Sequence, residues 1–420
     1  MKSPVGSIIF VVIMLLLDWY VYVSIKTVTQ DASPKAKSII YISFCTISII
    51  SALFIALMPY VNYDQWQRPV RTYIFAVIIG IFLGQLIASV FFLVDDIRRL
   101  FIWIWTSLGT RNAPHESING DEISRSVFLS WLGLGIGGTL FGTLLYGFSN
   151  KYNYKVKNVQ LAFDNLPKAF KGLKVLHISD IHSGSFMNKK AVQHGVDLIN
   201  QQKADIILFT GDLVNDRALE MENYMDVFNQ LKAPMGVYST LGNHDYGDYY
   251  FGANPTGDML LQKQLNLGEL KATHGKLGWR LLLDEFVELE KDGEKIALIG
   301  VQNISAKARF HSYGDLKKAH AGSEHLPFKI LMSHDPSHWD EQVNTDYKDI
   351  DLTLAGHTHG MQFGVEIPGL KFSPVQWVYK EWDGLYENGK QKLYVNPGFG
   401  FIGYPGRVGI LPEITVIELV

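Results

Sequence analysis

Five short stretches close apolar runs with residue types that bind cations. They are Asp180 and His182 in "ISDIHSG", Asp212 in "FTGDLVND", Asn243, His244 and Asp245 in "TLGNHDYGD", His334 in "LMSHDP", and His357 and His359 in "LAGHTHG". Asp180 and His182 alternate, as do His357 and His359, so on extended backbone each pair points to one side and could share an ion. Asp212 has two oxygens able to bridge two ions. The amide oxygen of Asn243 can ligate without adding negative charge, which leaves the ions more strongly Lewis acidic. Gly356 and Gly360 flank the last pair and let the backbone approach closely. Singly, Asp-x-His arises by chance and Gly-Asp is a common turn. His177, His194, His274, His311, His320, His325 and His338 read as ordinary buried or turn residues. Five such ends in one order do not.

The elements that must position these residues read as an α/β domain. Short β-rich runs cover Leu173–Ser179, Asp205–Thr210, Gly236–Leu241, Lys295–Val301, Lys329–Ser333, Asp351–Ala355, Lys392–Val395 and Ile414–Leu419. Helical periodicity covers Lys189–Gln201, Leu219–Leu231 and a stretch around Met259–Leu270. No internal repeat or low-complexity tract interrupts them.

The first part of the chain is different in kind. Ser7–Ser24, Ser38–Met58, Thr72–Val94 and Ser126–Ser149 are apolar stretches, each of a length to cross a hydrocarbon core that needs about 20 helical residues. All exceed the core of a cleavable signal peptide. Asp18 lies within the first stretch, and its neighbours Trp19 and Tyr20 place it near an interface. Asp95–Arg125, with Trp103 and Trp105, reads equally as an interfacial segment or as a loop against the bundle. The expected division is a membrane domain over residues 1–150 and a catalytic domain over 151–420. A net charge of -3 gives no basic excess for nucleic acid, which is not expected as a partner. The single cysteine, Cys45, excludes disulfides within the chain and cysteine-rich zinc sites.

In order, D-x-H, G-D, G-N-H-D, H and G-H-x-H resemble the calcineurin-like metallophosphoesterase superfamily over Leu173–Val420. The resemblance implies a four-layer sandwich of two mixed β-sheets flanked by helices. It implies Asp180, His182, Asp212 and His359 on one metal and Asp212, Asn243, His334 and His357 on the other, with Asp212 as the bridge. It also implies a water-derived nucleophile, and His244 as a non-ligand histidine that stabilises the transition state or protonates the leaving oxygen, with Asp245 orienting its ring. The ligand types suit two divalent ions, Mn, Fe or Zn, without separating them. The closing stretch "LYVNPGFGFIGYPGRVGILPEITVIEL" resembles the bacterial membrane-anchored YkuE-like branch. Where that branch continues G-H-T-H-G-G-Q, this chain has Met361, a departure that bears on pocket shape and substrate. Arg407 and the aromatic segment Tyr246–Pro255 are candidate substrate contacts, with ordinary loop roles as the alternative.

The expected activity is hydrolysis of a phosphomonoester or phosphodiester at the cell envelope, with a lipid or cell-wall precursor as candidate substrate. The alternative is a non-catalytic membrane sensor or binding protein. Lys26, Lys35, Lys37, Arg98, Arg99, Arg111 and Arg125 lie on one side of the four spans, and Lys2, Arg68 and Arg71 on the other, with Lys151, Lys155 and Lys157 at the start of a long domain that counts less. That bias places the catalytic domain outside the cytoplasm of a bacterial inner or plasma membrane. "ISRSVFLSWLGLGIGG" resembles a twin-arginine signal but has Ser126 at the second arginine. The spans read as an anchor in the bilayer, and no oligomeric state is implied.

Overall fold

The computed structural model describes residues 4–61, 66, 68–108 and 125–420, which fall into two units, Met1–Tyr146 and Gly147–Val420. Lys2, Arg111 and the rest of residues 109–124, used above for orientation, lie outside the described residues.

In the first unit, four of the described helices are long and apolar enough to cross a membrane. They are α1 (Pro4–Val28), α2 (Pro34–Leu57), α3 (Arg68–Leu108) and α4 (Arg125–Gly147). Ser33 starts α2 by accepting the Ala36 N–H on its hydroxyl, with Pro34 behind it in the first turn. A Cβ on Gly84 would lie 2.7 Å from the Gly137 carbonyl, so α3 and α4 approach at backbone distance.

Two expectations are corrected here. Asp18 is not near an interface: it is buried in the middle of α1, where Gln85 Nε2 donates to Oδ1 at 2.7 Å and the Ser48 hydroxyl donates to Oδ2. Two donors from neighbouring helices offset the desolvation of the carboxylate, which its aromatic neighbours in sequence do not reveal. The third helix also runs past Val94. Asp95 takes Arg98 and Arg99 within the helix and the Ser126 hydroxyl at 2.6 Å, so the charges are matched without leaving helical geometry.

The second unit contains β1 (Lys155–Leu161), β2 (Lys174–Ile178), α5 (Lys189–Gln201), β3 (Ile206–Phe209), β4 (Val237–Ser239) and β5 (Arg280–Leu281). There follow β6 (Glu285–Lys291), β7 (Glu294–Gly300), β8 (Lys329–Met332), β9 (Leu352–Ala355), β10 (Val365–Ile367), β11 (Leu370–Phe372), β12 (Gly384–Asn388), β13 (Gln391–Val395) and β14 (Glu413–Leu419). They form one sheet ordered β1-β14-β2-β3-β4-β5, another ordered β12-β13-β9-β8-β7-β6, and the separate hairpin β10-β11. Both large sheets are mixed: β14 with β2, β12 with β13 and β6 with β7 are antiparallel, and the other pairs are parallel.

Alternation along the strands builds the layers. Val175, Ile206 and Leu208 of one sheet meet Leu298, Ile330 and Leu354 of the other in a shared core. The intervening Leu176, Ile207 and Phe209 turn outward onto Val192, Val196 and Ile199 of α5. Ala297, Ile299 and Leu331 turn outward on the opposite side, onto Leu316, Trp339 and Val343. Strands buried on both faces explain why the runs read as continuously apolar.

The segment expected as a helix over Leu219–Leu231 is a 3-10 helix over Ala218–Tyr224 and only then α-helical over Met225–Phe228. Ala218, Met221 and Tyr224 are its buried residues, and that spacing of three suits the tighter winding. Leu208 is fully buried between the sheets. Leu208→Ala is therefore expected to cost about 2–5 kcal/mol, read as a lowered denaturation midpoint.

Candidate metal centre

Parallel strands of both sheets end at one place, and loops beyond their carboxyl ends carry the polar residues. Asp180 and His182 follow β2, Asp212 follows β3, Asn243 and His244 follow β4, His334 follows β8, and His357 and His359 follow β9. The structure brings all of them together.

Two clusters result. In the first, His182 Nε2 is 3.0 Å from His359 Nε2, and His359 Nε2 is 3.2 Å from Asp180 Oδ1. In the second, His334 Nε2 is 3.2 Å from Asn243 Oδ1, and His357 Nδ1 is 2.7 Å from the same oxygen and 3.3 Å from His334 Nε2. Asp212 Oδ2 belongs to both, 3.5 Å from His182 Nε2 and 3.2 Å from His334 Nε2. Its other oxygen accepts the His244 backbone N–H at 2.8 Å.

These distances are too long for direct bonds in several cases and suit atoms converging on a common centre. His182 Nδ1 donates to Val214 O at 3.2 Å and His334 Nδ1 donates to Thr210 O at 2.8 Å, so both rings turn Nε2 inward among other acceptors. Converging acceptors of nitrogen and oxygen type, buried together, fit divalent cations. The electrostatics agree. Burial opposes charge on His334, yet the Asp212 carboxylate raises it to about 10. Burial likewise opposes charge on Asp212, and His334 and His244 hold it well below the usual carboxylate range. The Asp212 carboxylate thus draws positive charge into the cluster, and a divalent cation meets the same demand.

The backbone reaches this arrangement by a route that alternation does not describe. Asp180, His182, Asp212, His357 and His359 have φ of 53°, 47°, 62°, 71° and 53°, in the left-handed region. Asp180 and His182 therefore meet through kinked rather than extended backbone. His357 and His359 part company, His357 to the second cluster and His359 to the first, instead of sharing one face. Gly356 is required here, because a Cβ on it would lie 2.2 Å from Asp180 Oδ2.

Around the ligand atoms, His357 Nε2 meets the Tyr379 hydroxyl at 2.8 Å. His244 Nδ1 donates to Asn215 O at 2.7 Å, and its ring stacks on Tyr249 with centroids 4.4 Å apart. Asp245 does not orient that ring, contrary to expectation. Its carboxylate instead accepts backbone N–H groups of Asp212, Leu213 and Gly242, each at 2.9 Å, tying the loops after β3 and β4 together. Burial and the neighbouring Asp212 push its carboxyl up to about 7. Arg407 is corrected as well. It is fully buried, donates to Pro397 O and Gly398 O, and stands 3.3 Å behind His359 Nδ1, out of reach of a substrate. Tyr379 and Asn215 had no signal in sequence, since an isolated tyrosine or a backbone carbonyl carries none. His177, His274 and His338 are buried outside the site, and burial lowers each of them, to about 3, 3 and 4.

Residues 173–361 match the family described as Calcineurin-like phosphoesterase. Residues 4–151 match Probable Calcineurin-like phosphoesterase, transmembrane domain. Residues 173–361 are thus a calcineurin-like phosphoesterase domain. The chain is similar to "Transmembrane protein with metallophosphoesterase domain" of Danio rerio, 29% identical over 269 residues covering 63% of this chain and 57% of the relative. It is similar to "Uncharacterized metallophosphoesterase YkuE" of Bacillus subtilis, 29% identical with 60% and 81% covered. It is similar to "Phosphodiesterase YaeI" of Escherichia coli, 29% identical with 59% and 82% covered. The match thus spans less than two thirds of the Danio rerio relative's length. The family uses divalent metals, and in this chain two groups of side chains, Asp180, His182 and His359, and Asp212, His334 and His357, are placed to hold them.

Asp245→Ala strips the acceptor from buried N–H groups, each costing about 1–3 kcal/mol when orphaned, so a clearly lowered unfolding midpoint is expected. An unchanged midpoint would mean that these N–H groups do not depend on Asp245 for stability.

Proposed function

We propose that residues 151–420 are a dinuclear-metal phosphoesterase, anchored by the membrane domain over residues 1–150, that hydrolyses a phosphomonoester or phosphodiester at the cell envelope. The observation that carries this reading is Asp212 Oδ2, shared between the two clusters at 3.5 and 3.2 Å. Asp180, His182, Asp212 and His359 would hold one ion, and Asp212, Asn243, His334 and His357 the other. Mn, Fe and Zn all suit this donor set. When bound, such a pair supplies Lewis acidity and an activated water for in-line displacement at phosphorus.

The side chains contribute the rest. His244, held by Asn215 O and stacked on Tyr249, turns Nε2 away from its backbone partner and in its protonated form steadies the developing negative charge and protonates the leaving oxygen. Asp245 acts at a distance by holding the loops of Asp212 and His244 in register. The relative named a phosphodiesterase supports the diester class, and the four spans support a membrane-resident substrate such as a lipid or cell-wall precursor. Lys26, Lys35, Lys37, Arg98, Arg99 and Arg125 support an extracytoplasmic catalytic domain in a bacterial inner or plasma membrane.

The test is turnover of a chromogenic phosphodiester and the matching monoester by the full chain, chelated and then supplied with Mn. Metal-dependent hydrolysis is expected, lost with Asp212→Asn together with bound metal. His244→Ala should lower kcat about 10²–10⁴-fold while metal content stays constant. Turnover that survives Asp212→Asn would remove the dinuclear reading. For orientation, protease added to spheroplasts is expected to digest the catalytic domain; full protection, with lysed cells digested, would reverse it.

A further inference from the structure

The exposed large apolar side chains of Gly147–Val420 are not scattered. All but Leu385 and Val420 fall in two groups. One follows the His359 loop: Met361, then Val365, Ile367 and Leu370 on the β10-β11 hairpin, then Trp377 and Val378. Trp377 is 75% exposed and Ile367 57%. The other group lies beyond His244. It comprises Tyr249 and Tyr250, Leu219, and Met259, Leu260, Leu261 and Leu265 on the helix Gly257–Lys276.

Both groups are built onto the metal centre. Tyr249 stacks on His244, and Val378 immediately precedes Tyr379, whose hydroxyl meets His357. The centre is therefore flanked by two apolar rims. Cations stand on the rings beside it: Arg217 on Tyr250, Lys307 on Tyr379 and Arg309 on Phe310.

Gly147, the last residue of α4, accepts the Arg407 N–H at 2.9 Å, and a Cβ on it would lie 2.6 Å from Val408. Val408 in turn pairs with Gln362 and Gly364, donating to one and accepting from the other at 2.8 and 2.9 Å. The next residue, Val365, begins β10. Within this unit, Gly147 is thus joined through Arg407 and Val408 to the residue that precedes the exposed hairpin.

Apolar side chains with interfacial Trp and Tyr, flanked by Lys and Arg, are the chemistry of a surface that lies on a bilayer. We propose that the two rims dock on the bilayer spanned by the N-terminal helices, and that the metal centre takes a phospholipid head group whose acyl part stays in that bilayer. The substrate class rests on the phosphoesterase reading above; the docking does not.

The experiment uses the full chain with Cys45→Ser, reconstituted in phosphatidylethanolamine–phosphatidylglycerol vesicles with or without brominated acyl chains. A polarity-sensitive fluorophore is placed at Ile367→Cys, Leu261→Cys or, as control, Lys390→Cys in the β12-β13 turn at the far end of its sheet. Labels at 367 and 261 should be quenched roughly twofold or more by brominated lipid, and the label at 390 should not. Ile367→Asp should slow hydrolysis of vesicle phospholipid about tenfold while a soluble phosphodiester is turned over as before.

Labels at 367 and 261 that behave like 390 overturn the docking. So does shielding that ignores bromination and rises with protein density, which would mean that a second copy covers the rims. Equal loss on both substrates overturns it too, as a general defect. Metal-loaded wild type that turns over neither substrate fails the phosphoesterase reading, and the quenching then still decides the docking by itself.

Discussion

One carboxylate oxygen organises this domain. Asp212 Oδ2 stands within reach of His182 from one strand end and His334 from the other sheet, so two clusters exist only while both sheets hold their register. The inter-sheet core supplies that register. Val175, Ile206, Leu298 and Leu354 are buried between the sheets, and a shift there would separate the strand ends that carry the two clusters. Packing density resists such shifts, which is how an apolar interior sets polar distances elsewhere.

Around that oxygen, charge is balanced by neighbours rather than by water. The buried histidines lower the Asp212 carboxyl, Asp212 raises His334, and Asp245 gives its acceptors to backbone N–H groups instead of to a ring. The result separates two duties. His244 is held by its own carbonyl partner, and the loops that place it are tied together by Asp245.

Much of this was legible from sequence. All eight expected strands coincide with observed ones, because fully buried strands read as unbroken apolar runs ending in polar residues. Strands β1, β5, β6, β10, β11 and β12 escaped notice: β1, β5, β6 and β12 are at sheet edges, β10 and β11 form a separate hairpin, and charged or polar residues break the pattern in "KVKNVQL", "EFVELEK" and "GLYEN". The residues of the site were legible by type and order, whereas their partners were not. Asp245 followed His244 directly yet turned to Gly242 and Asp212, and Arg407 looked like a phosphate contact yet lies fully buried. Adjacency in sequence says nothing of which way a side chain leaves a kinked backbone. Asp18 is the membrane counterpart, since Ser48 and Gln85 reach it from helices far away in sequence.

The left-handed backbone at Asp180, His182, Asp212, His357 and His359 sets stability and chemistry against each other. Glycine or asparagine at any of these positions would relax the local conformation while deleting or weakening a ligand. A selection that scored only thermal resistance would therefore tend to rank inactivating substitutions here as improvements. In this fold, the places where the chain is least comfortable mark the places that cannot be optimised without losing the reason for the strain.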